Sequence, residues 1–405
     1  MNPESGRSLF WFDVLVALDL AAMAAVGFLA PLCATQMGAS PGLLGVLMSV
    51  AALGSLVAAI PAGVLVQHAG TLRPMIAACA MAGVAIAGVV FSYTLPMLFV
   101  GLVLYRIAEI VVFVAFQTHV AAASADADRT TADFGWYAFA VAIGQFLGPA
   151  AAGVLAGKAG FRWAWAATAG LFFLFAALTP LLVRWNTPGV ARERVEGVRM
   201  MRRIFGEGGF RSLLSPVSLV AIASSFIVVF ATGCRGTYFP VYLTSLGIAA
   251  SVAGFLVALA SVSGIVSRLT LSSLVRFAGG PFPTMLWCFL VVGIGIGSTS
   301  FFTSVPVLAV NSLVVGLGSG ISMPVSMTIV ARNVSADTRA VAMSVRLMGN
   351  RLASFVNPLV FGMVAAVGGI PAAFVAAGIL MLVFTAGLFA WWRLRGRAEF
   401  DAASG

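Results

Sequence analysis

Apolar residues run along this chain in twelve long blocks separated by short polar or glycine-containing gaps. The blocks cover 9–36, 41–66, 72–93, 95–121, 133–157, 161–184, 214–243, 250–275, 282–303, 305–331, 339–366 and 370–394. Each is close to or above the ~20 residues an α-helix needs to cross a bilayer. Several gaps are very short, such as Met37-Gly38-Ala39-Ser40 and Tyr93-Thr94-Leu95. The longest, Trp185 to Ser212, is polar and rich in Arg, Glu and Gly, and it divides the blocks six and six. The pattern predicts an all-α polytopic membrane protein with twelve transmembrane helices. Its parts are an N-terminal six-helix bundle (1–184), a cytoplasmic linker (185–212) and a C-terminal six-helix bundle (213–405). Within the linker, Val195-Glu196-Gly197-Val198-Arg199-Met200 reads either as a short membrane-surface helix or as a solvated connection.

Composition agrees with the pattern. The chain of 405 residues is 61% hydrophobic and 9% charged, whereas a soluble domain carries about 25% charged residues. The formal net charge of +10 does not point to nucleic acid, because most basic residues lie in short loops between apolar blocks. With both termini placed in the cytoplasm, the inner loops and tails hold sixteen Arg and the outer loops only Lys158 and Arg162. That asymmetry is a strong positive-inside signal and sets the expected orientation; the expected location is a bacterial inner membrane. The four cysteines, Cys33, Cys79, Cys234 and Cys288, stand singly in or beside apolar blocks, with no CxxC or zinc spacing, and read as small packing residues. The first apolar block is too long for a cleavable signal and contains Asp13 and Asp19.

The two halves repeat. A shift of 209 residues places Gly27 on Gly236, Pro31 on Pro240, Gly38 on Gly247 and Gly45 on Gly254. The same shift places Gly70 on Gly279, Pro149 on Pro358, Gly153 on Gly362 and Gly160 on Gly369. Parallel repeats of six helices are an architecture of secondary transporters, with the site near mid-membrane at the repeat interface.

Three local motifs give the chain a resemblance to the major facilitator superfamily over essentially its whole length. The first is Gly63-Val64-Leu65-Val66-Gln67-His68-Ala69-Gly70-Thr71-Leu72-Arg73, which resembles the family's cytoplasmic loop signature after the second helix. Gln67 stands where the family usually has Asp, and His68 where it has a basic residue. The second is Arg106 in the fourth span, placed like the family's mid-helix Arg that is often tied to proton coupling. Glu109 and Ile110 follow where the family often has Gln and Gly. The third is Gly144-Gln145-Phe146-Leu147-Gly148-Pro149-Ala150-Ala151-Ala152-Gly153, which resembles the antiporter signature GxxxGPxxGG with Ala152 in place of one Gly. The resemblance implies a proton-coupled drug or metabolite antiporter. Gly144, Gly148, Pro149 and Gly153 also read as plain helix packing, since small residues let helices approach closely in lipid.

The candidate chemistry is a set of stranded charges. Arg106 and Glu109, three residues apart, share one face of a long apolar helix. A charge at that depth costs several kcal/mol, so such residues face protein or a water-filled cavity and by default mark function; the plainer reading is an ion pair that only joins helices. Asp19 lies about ten residues into the first span, roughly 15 Å from its start. In the resembled fold the first and fourth helices line the central cavity, which makes Asp19, Arg106 and Glu109 a cluster able to hold a proton. Asp13 sits about 120° away from Asp19 in projection and reads as an entrance or interface residue. The second half offers cations without intramembrane acids: Arg235, Arg268, Arg346 and Arg351, with Asn350 and Asn357 continuing the face of Arg346. Arg235, Arg346, Asn350, Arg351 and Asn357 are candidate substrate-binding residues for an anionic group, although Arg268 also suits snorkelling to an interface. Trp136, Tyr137, Phe230, Tyr238 and Phe355 are candidates for the apolar part of such a site or for packing.

Weaker signals change little. Met323 and Met327 share a face and suit Cu(I), but methionine also fills gaps in cores; no metal site is expected. His119 reads as an interfacial residue, with titration near neutral pH as the other reading. No GxxxxGK[ST], HExxH or Ser-His-Asp arrangement occurs, so no cofactor, ATP use or enzymatic activity is expected. The expected function is alternating-access, proton-coupled export of a small amphiphilic compound, by a monomer with both termini in the cytoplasm. Uptake of an organic anion or iron-chelating metabolite by proton symport is the alternative. A non-transporting receptor or scaffold is the alternative of another class.

Overall fold

The computed structural model describes residues 3–123, 127–183, 216–333 and 336–396. The linker 185–212 and its candidate surface helix lie outside the described residues. All regular structure among the described residues is helical: α1 Pro3–Gln36, α2 Pro41–Ala69, α3 Leu72–Phe91, α4 Leu95–Ala123, α5 Ala127–Ala159 and α6 Phe161–Leu182 in the first half. The second half has α7 Pro216–Ser245, α8 Ala250–Leu269, the short α9 Leu271–Phe277, α10 Pro281–Ser298, α11 Val305–Asn333 and α12 Ala336–Trp391. Helices follow from the solvent: with no water in a bilayer core, backbone N–H and C=O groups must pair within their own segment.

Eleven of these helices are long and apolar enough to cross a membrane. The last of them, Val345–Leu394, is 50 residues long, far more than the ~20 a single crossing needs. It breaks at Gly369, where φ is +79°, a conformation open to glycine and costly for other residues. The two arms of α12 therefore supply the eleventh and twelfth crossings expected from the pattern. The eighth expected span, 250–275, is divided in the structure: α8 ends at Leu269 and α9 begins at Leu271.

The 209-residue repeat is written into the backbone. Gly38 and Gly247, Gly70 and Gly279, and Gly160 and Gly369 are three pairs at that offset, and every one of the six has positive φ. Each pair ends or begins the same helix in its half. The first pair shows the mechanism: Gly38 N–H bonds the Thr35 carbonyl and Ala39 N–H the Ala34 carbonyl. In the second half Gly247 bonds Thr244 and Ile248 bonds Leu243. Both are glycine C-caps that satisfy the last carbonyls of a helix.

The described chain clusters into two compact units. Of the described residues, unit 1 contains those within 3–40, 50–183 and 243–258, and unit 2 those within 41–49, 216–242 and 259–396. In unit 1, α1 packs along α5 and α6, and α3 packs along α4 and α6. In unit 2, α10 packs along α11 and α12. Gly144 and Gly148 bring α5 against α1: a Cβ on Gly144 would stand 2.5 Å from the Ala17 carbonyl oxygen, and one on Gly148 would run into that of Ala21. Each unit also holds a short piece of the other repeat. In unit 2 the start of α2 lies on α12, with Gly45 against Gly362; in unit 1 the start of α8 lies on α5, with Gly254 against Gly153.

Candidate functional site

In unit 1 the polar groups gather where α1, α3 and α4 meet. Asp19 is fully buried on α1. The Cys79 thiol on α3 donates to Asp19 Oδ1 at 3.4 Å, and Asp19 Oδ2 has no hydrogen-bond partner. On α4, Arg106 Nη1 donates to Glu109 Oε2 at 2.7 Å. That pair is partly open, with side-chain exposures of 34% and 19%, and the Arg106 guanidinium lies 5.6 Å from the centre of the Tyr105 ring. Tyr105, next to Arg106 on α4, donates to the Met23 carbonyl of α1 at 3.4 Å, one turn along from Asp19. Two acids and one arginine therefore share one neighbourhood, with one acid bonded to the arginine and the other paired only with a thiol. Asp13 is half-buried nearer the start of α1.

Sequence alone does not mark Cys79 as a site residue, since it reads there as packing. One signal is available: Cys79 and Cys288 stand 209 residues apart, each buried in the corresponding helix, α3 and α10. Only the first has a buried acid beside it, because position 228, the counterpart of Asp19, is Val. His119 lies buried rather than at an interface, stacked on Phe12 with ring centres 4.3 Å apart. Its Nδ1 is 3.1 Å from the Thr71 hydroxyl.

Unit 2 separates its arginines. Arg235 on α7 is buried, and its guanidinium donates to Thr299 Oγ1 at 2.9 Å, Asn311 Oδ1 at 2.7 Å and Ser312 Oγ at 2.7 Å. The Phe239 ring covers it at 3.8 Å, a favourable place for a cation. Arg235 thus ties α7 to α11 and the Thr299–Phe301 turn.

Arg346 on the first arm of α12 is 1% exposed. Its Nη1 donates to Ser225 Oγ at 3.1 Å and approaches the Met323 thioether at 3.6 Å. Nε has no partner. Ser225 in turn donates to Asn350 Oδ1 at 2.7 Å, and Asn350 Nδ2 has no partner. Asn357, farther along the same arm, is buried against Gly233 of α7, where any side chain would collide with the amide. Arg351 is half-buried and, one residue on from Asn350, turns about 100° off its face. The Arg268 side chain lies outside the described residues. Of the expected aromatic lining, Phe230 packs on Phe226 and Phe361, and Trp136 is 63% exposed. Tyr238 is buried and donates to the Pro358 and Pro41 carbonyls.

The family model described as Major Facilitator Superfamily matches residues 13–284 and 276–403. The chain belongs to the major facilitator superfamily. Membership places it among multi-pass membrane transport proteins rather than enzymes. Among curated relatives, it is 25% identical over 243 residues to the multidrug resistance protein MdtG of Klebsiella pneumoniae (strain 342), covering 59% of this chain and 57% of that protein. It is likewise 25% identical over 259 residues to MdtG of Salmonella paratyphi C (strain RKS4594), covering 63% of this chain and 61% of that protein. The matched part of this superfamily member thus spans about three-fifths of the length of these relatives. Its fold matches the nucleoside transporter NupG with a TM-score of 0.79 at 12% identity, over 98% of this chain and 100% of that one. A bacterial homologue of the human lysosomal transporter Spinster gives 0.78 at 13% identity, over 97% and 98%. At such identities these likenesses speak to the fold alone.

Proposed function

We propose that this superfamily member is a proton-coupled exporter of a small amphiphilic compound, working by alternating access in a bacterial inner membrane with both termini in the cytoplasm. The repeats 1–184 and 213–405, joined by the linker 185–212, are its two moving halves, and the working unit is a monomer. The carrying observation is Asp19: a fully buried carboxyl at the middle of a membrane-spanning helix, with one oxygen unpartnered and an acid–arginine pair beside it. A group that must lose its proton to ionise, placed next to Glu109 and Arg106, is the element a proton-coupled cycle needs. The multidrug resistance names of the relatives and the antiporter-like segment from Gly144 to Gly153 support export.

The test is flux in proteoliposomes under an imposed pH gradient. Asp19→Asn and Glu109→Gln are expected to abolish gradient-driven transport while leaving exchange without a gradient. Unchanged gradient-driven flux in both variants ends the assignment of proton carriage to this cluster. A second reading, proton-coupled uptake of an organic anion, is favoured by the acid-free spans of the second half and by Arg346. Drug sensitivity of a deletion strain, against failure to grow on a supplied organic acid, separates the two directions.

A further inference from the structure

The hydrogen-bond chain in unit 2 has a fixed direction. A guanidinium has donors only, so Ser225 Oγ must accept from Arg346 Nη1. The Ser225 proton is then free to go to Asn350, which must present its oxygen to receive it. That orients the amide and turns the Asn350 NH2 away from Ser225. The two atoms left without partners, Arg346 Nε and Asn350 Nδ2, are both donors, both buried, and one helical turn apart on α12. The Met323 thioether on the Nη1 side is a weak acceptor, and no Asp or Glu occurs in the spans of this half. Arg346 Nη1 is thus held by neutral groups, while Nε stays without a partner. Leaving buried donors unmade is costly. Arg235 shows the contrast, since three neutral oxygens and an aromatic face engage its guanidinium.

We propose that Arg346 and Asn350 form a receptor for an oxoanion, and that the transported compound carries a carboxylate that sits on these two donors. The fork edge of an arginine matches the two oxygens of a carboxylate, and the Asn350 amide adds a third donor from the next turn. Ser225 and Met323 act as positioning residues, holding Nη1 so that the Nε edge stays presented. The inference rests on the reading that the chain moves a small solute, but not on direction or on proton coupling.

The test uses the full-length protein in detergent and reads ligand-induced thermal stabilisation. Probes are matched pairs of aryl and alkyl carboxylates with their primary amides, beginning with 1-naphthoate and 1-naphthamide. Inorganic phosphate and phosphatidylglycerol-doped micelles are further arms. Carboxylates are expected to stabilise saturably and to bind about tenfold or more tightly than their amides, the loss of one charged hydrogen bond. Arg346→Lys keeps the charge but loses the fork, and is expected to weaken carboxylate binding about tenfold. Asn350→Asp puts an acid beside Arg346 and is expected to abolish it without unfolding the protein. Equal binding of carboxylates and amides overturns the proposal, as does full affinity in Arg346→Lys. Stabilisation by phosphatidylglycerol or phosphate with none by any carboxylate overturns it as well. Carboxylate binding with no flux in liposomes overturns the transport reading, and with it the claim that the bound carboxylate belongs to a transported compound, while leaving the oxoanion receptor itself; flux of neutral compounds with no carboxylate binding overturns the receptor and leaves the transport reading.

Discussion

Gly45 and Gly254 offer a perturbation whose size can be worked from the structure, because the repeat supplies its own duplicate. A Cβ on Gly45 would run into the Pro358 carbonyl oxygen and stand 2.9 Å from the Gly362 Cα and from the Tyr238 hydroxyl. At the position 209 residues later, a Cβ on Gly254 would run into the Pro149 carbonyl oxygen and stand 3.0 Å from the Gly153 Cα. Most of these obstacles are backbone and cannot rotate aside, so the helices must part. Overpacking of this kind costs about 1–3 kcal/mol, and the upper half of that range is expected here. Gly27 and Gly236, another pair at the same offset, would have nothing within 4 Å of an added Cβ. Their alanine variants are expected to fall within about 0.5 kcal/mol of the parent. Thermal unfolding of the purified protein in detergent reads all four. Gly45→Ala and Gly254→Ala should lower the midpoint by similar amounts, and Gly27→Ala and Gly236→Ala should not. An unchanged midpoint in either of the first two refutes the close-approach argument; a large drop in one alone refutes the equivalence of the two contacts.

Three further outcomes follow from single contacts. Asn311→Leu removes an acceptor from buried Arg235 and leaves the Gly295 carbonyl short of a donor; about 1–3 kcal/mol of stability should be lost, with carboxylate binding unchanged in detergent titrations. Arg162 bonds the Val90 carbonyl at 2.7 Å and the Phe91 carbonyl at 3.4 Å, closing the C-terminus of α3; Arg162→Ala should cost about 1 kcal/mol and speed amide exchange in the last turn of α3. Trp165→Phe removes the indole bond to Cys33 Sγ at 2.9 Å while keeping the ring buried. Because sulfur is a weak acceptor, less than about 1 kcal/mol should be lost in thermal unfolding.

The Arg162 contact shows how far charge statistics reach. Counting basic residues gives an orientation but not the reason a cation stands on the sparse side; here it satisfies carbonyls that a helix end leaves open. Much of the architecture was legible because a bilayer leaves few choices. Runs of about twenty apolar residues must be helices, and glycines needed for positive φ recur at fixed places, so the 209-residue shift in the sequence reappears as Gly38/Gly247, Gly70/Gly279 and Gly160/Gly369 in the backbone.

The chain by itself therefore determined twelve crossings, two repeats, a family and a short roster of stranded charges, since each of these is a matter of local composition and spacing. Only the tertiary structure could sort that roster. Arg235 and Arg346 look alike in sequence, each a lone cation in an apolar run. Three-dimensional packing surrounds the first with Thr299, Asn311, Ser312 and Phe239, and leaves the Nε of the second without a partner. It also sets Cys79 beside Asp19 across 60 residues of chain. Whether a buried polar group is satisfied depends on atoms contributed by other helices, and neither hydropathy nor periodicity along one helix carries that information.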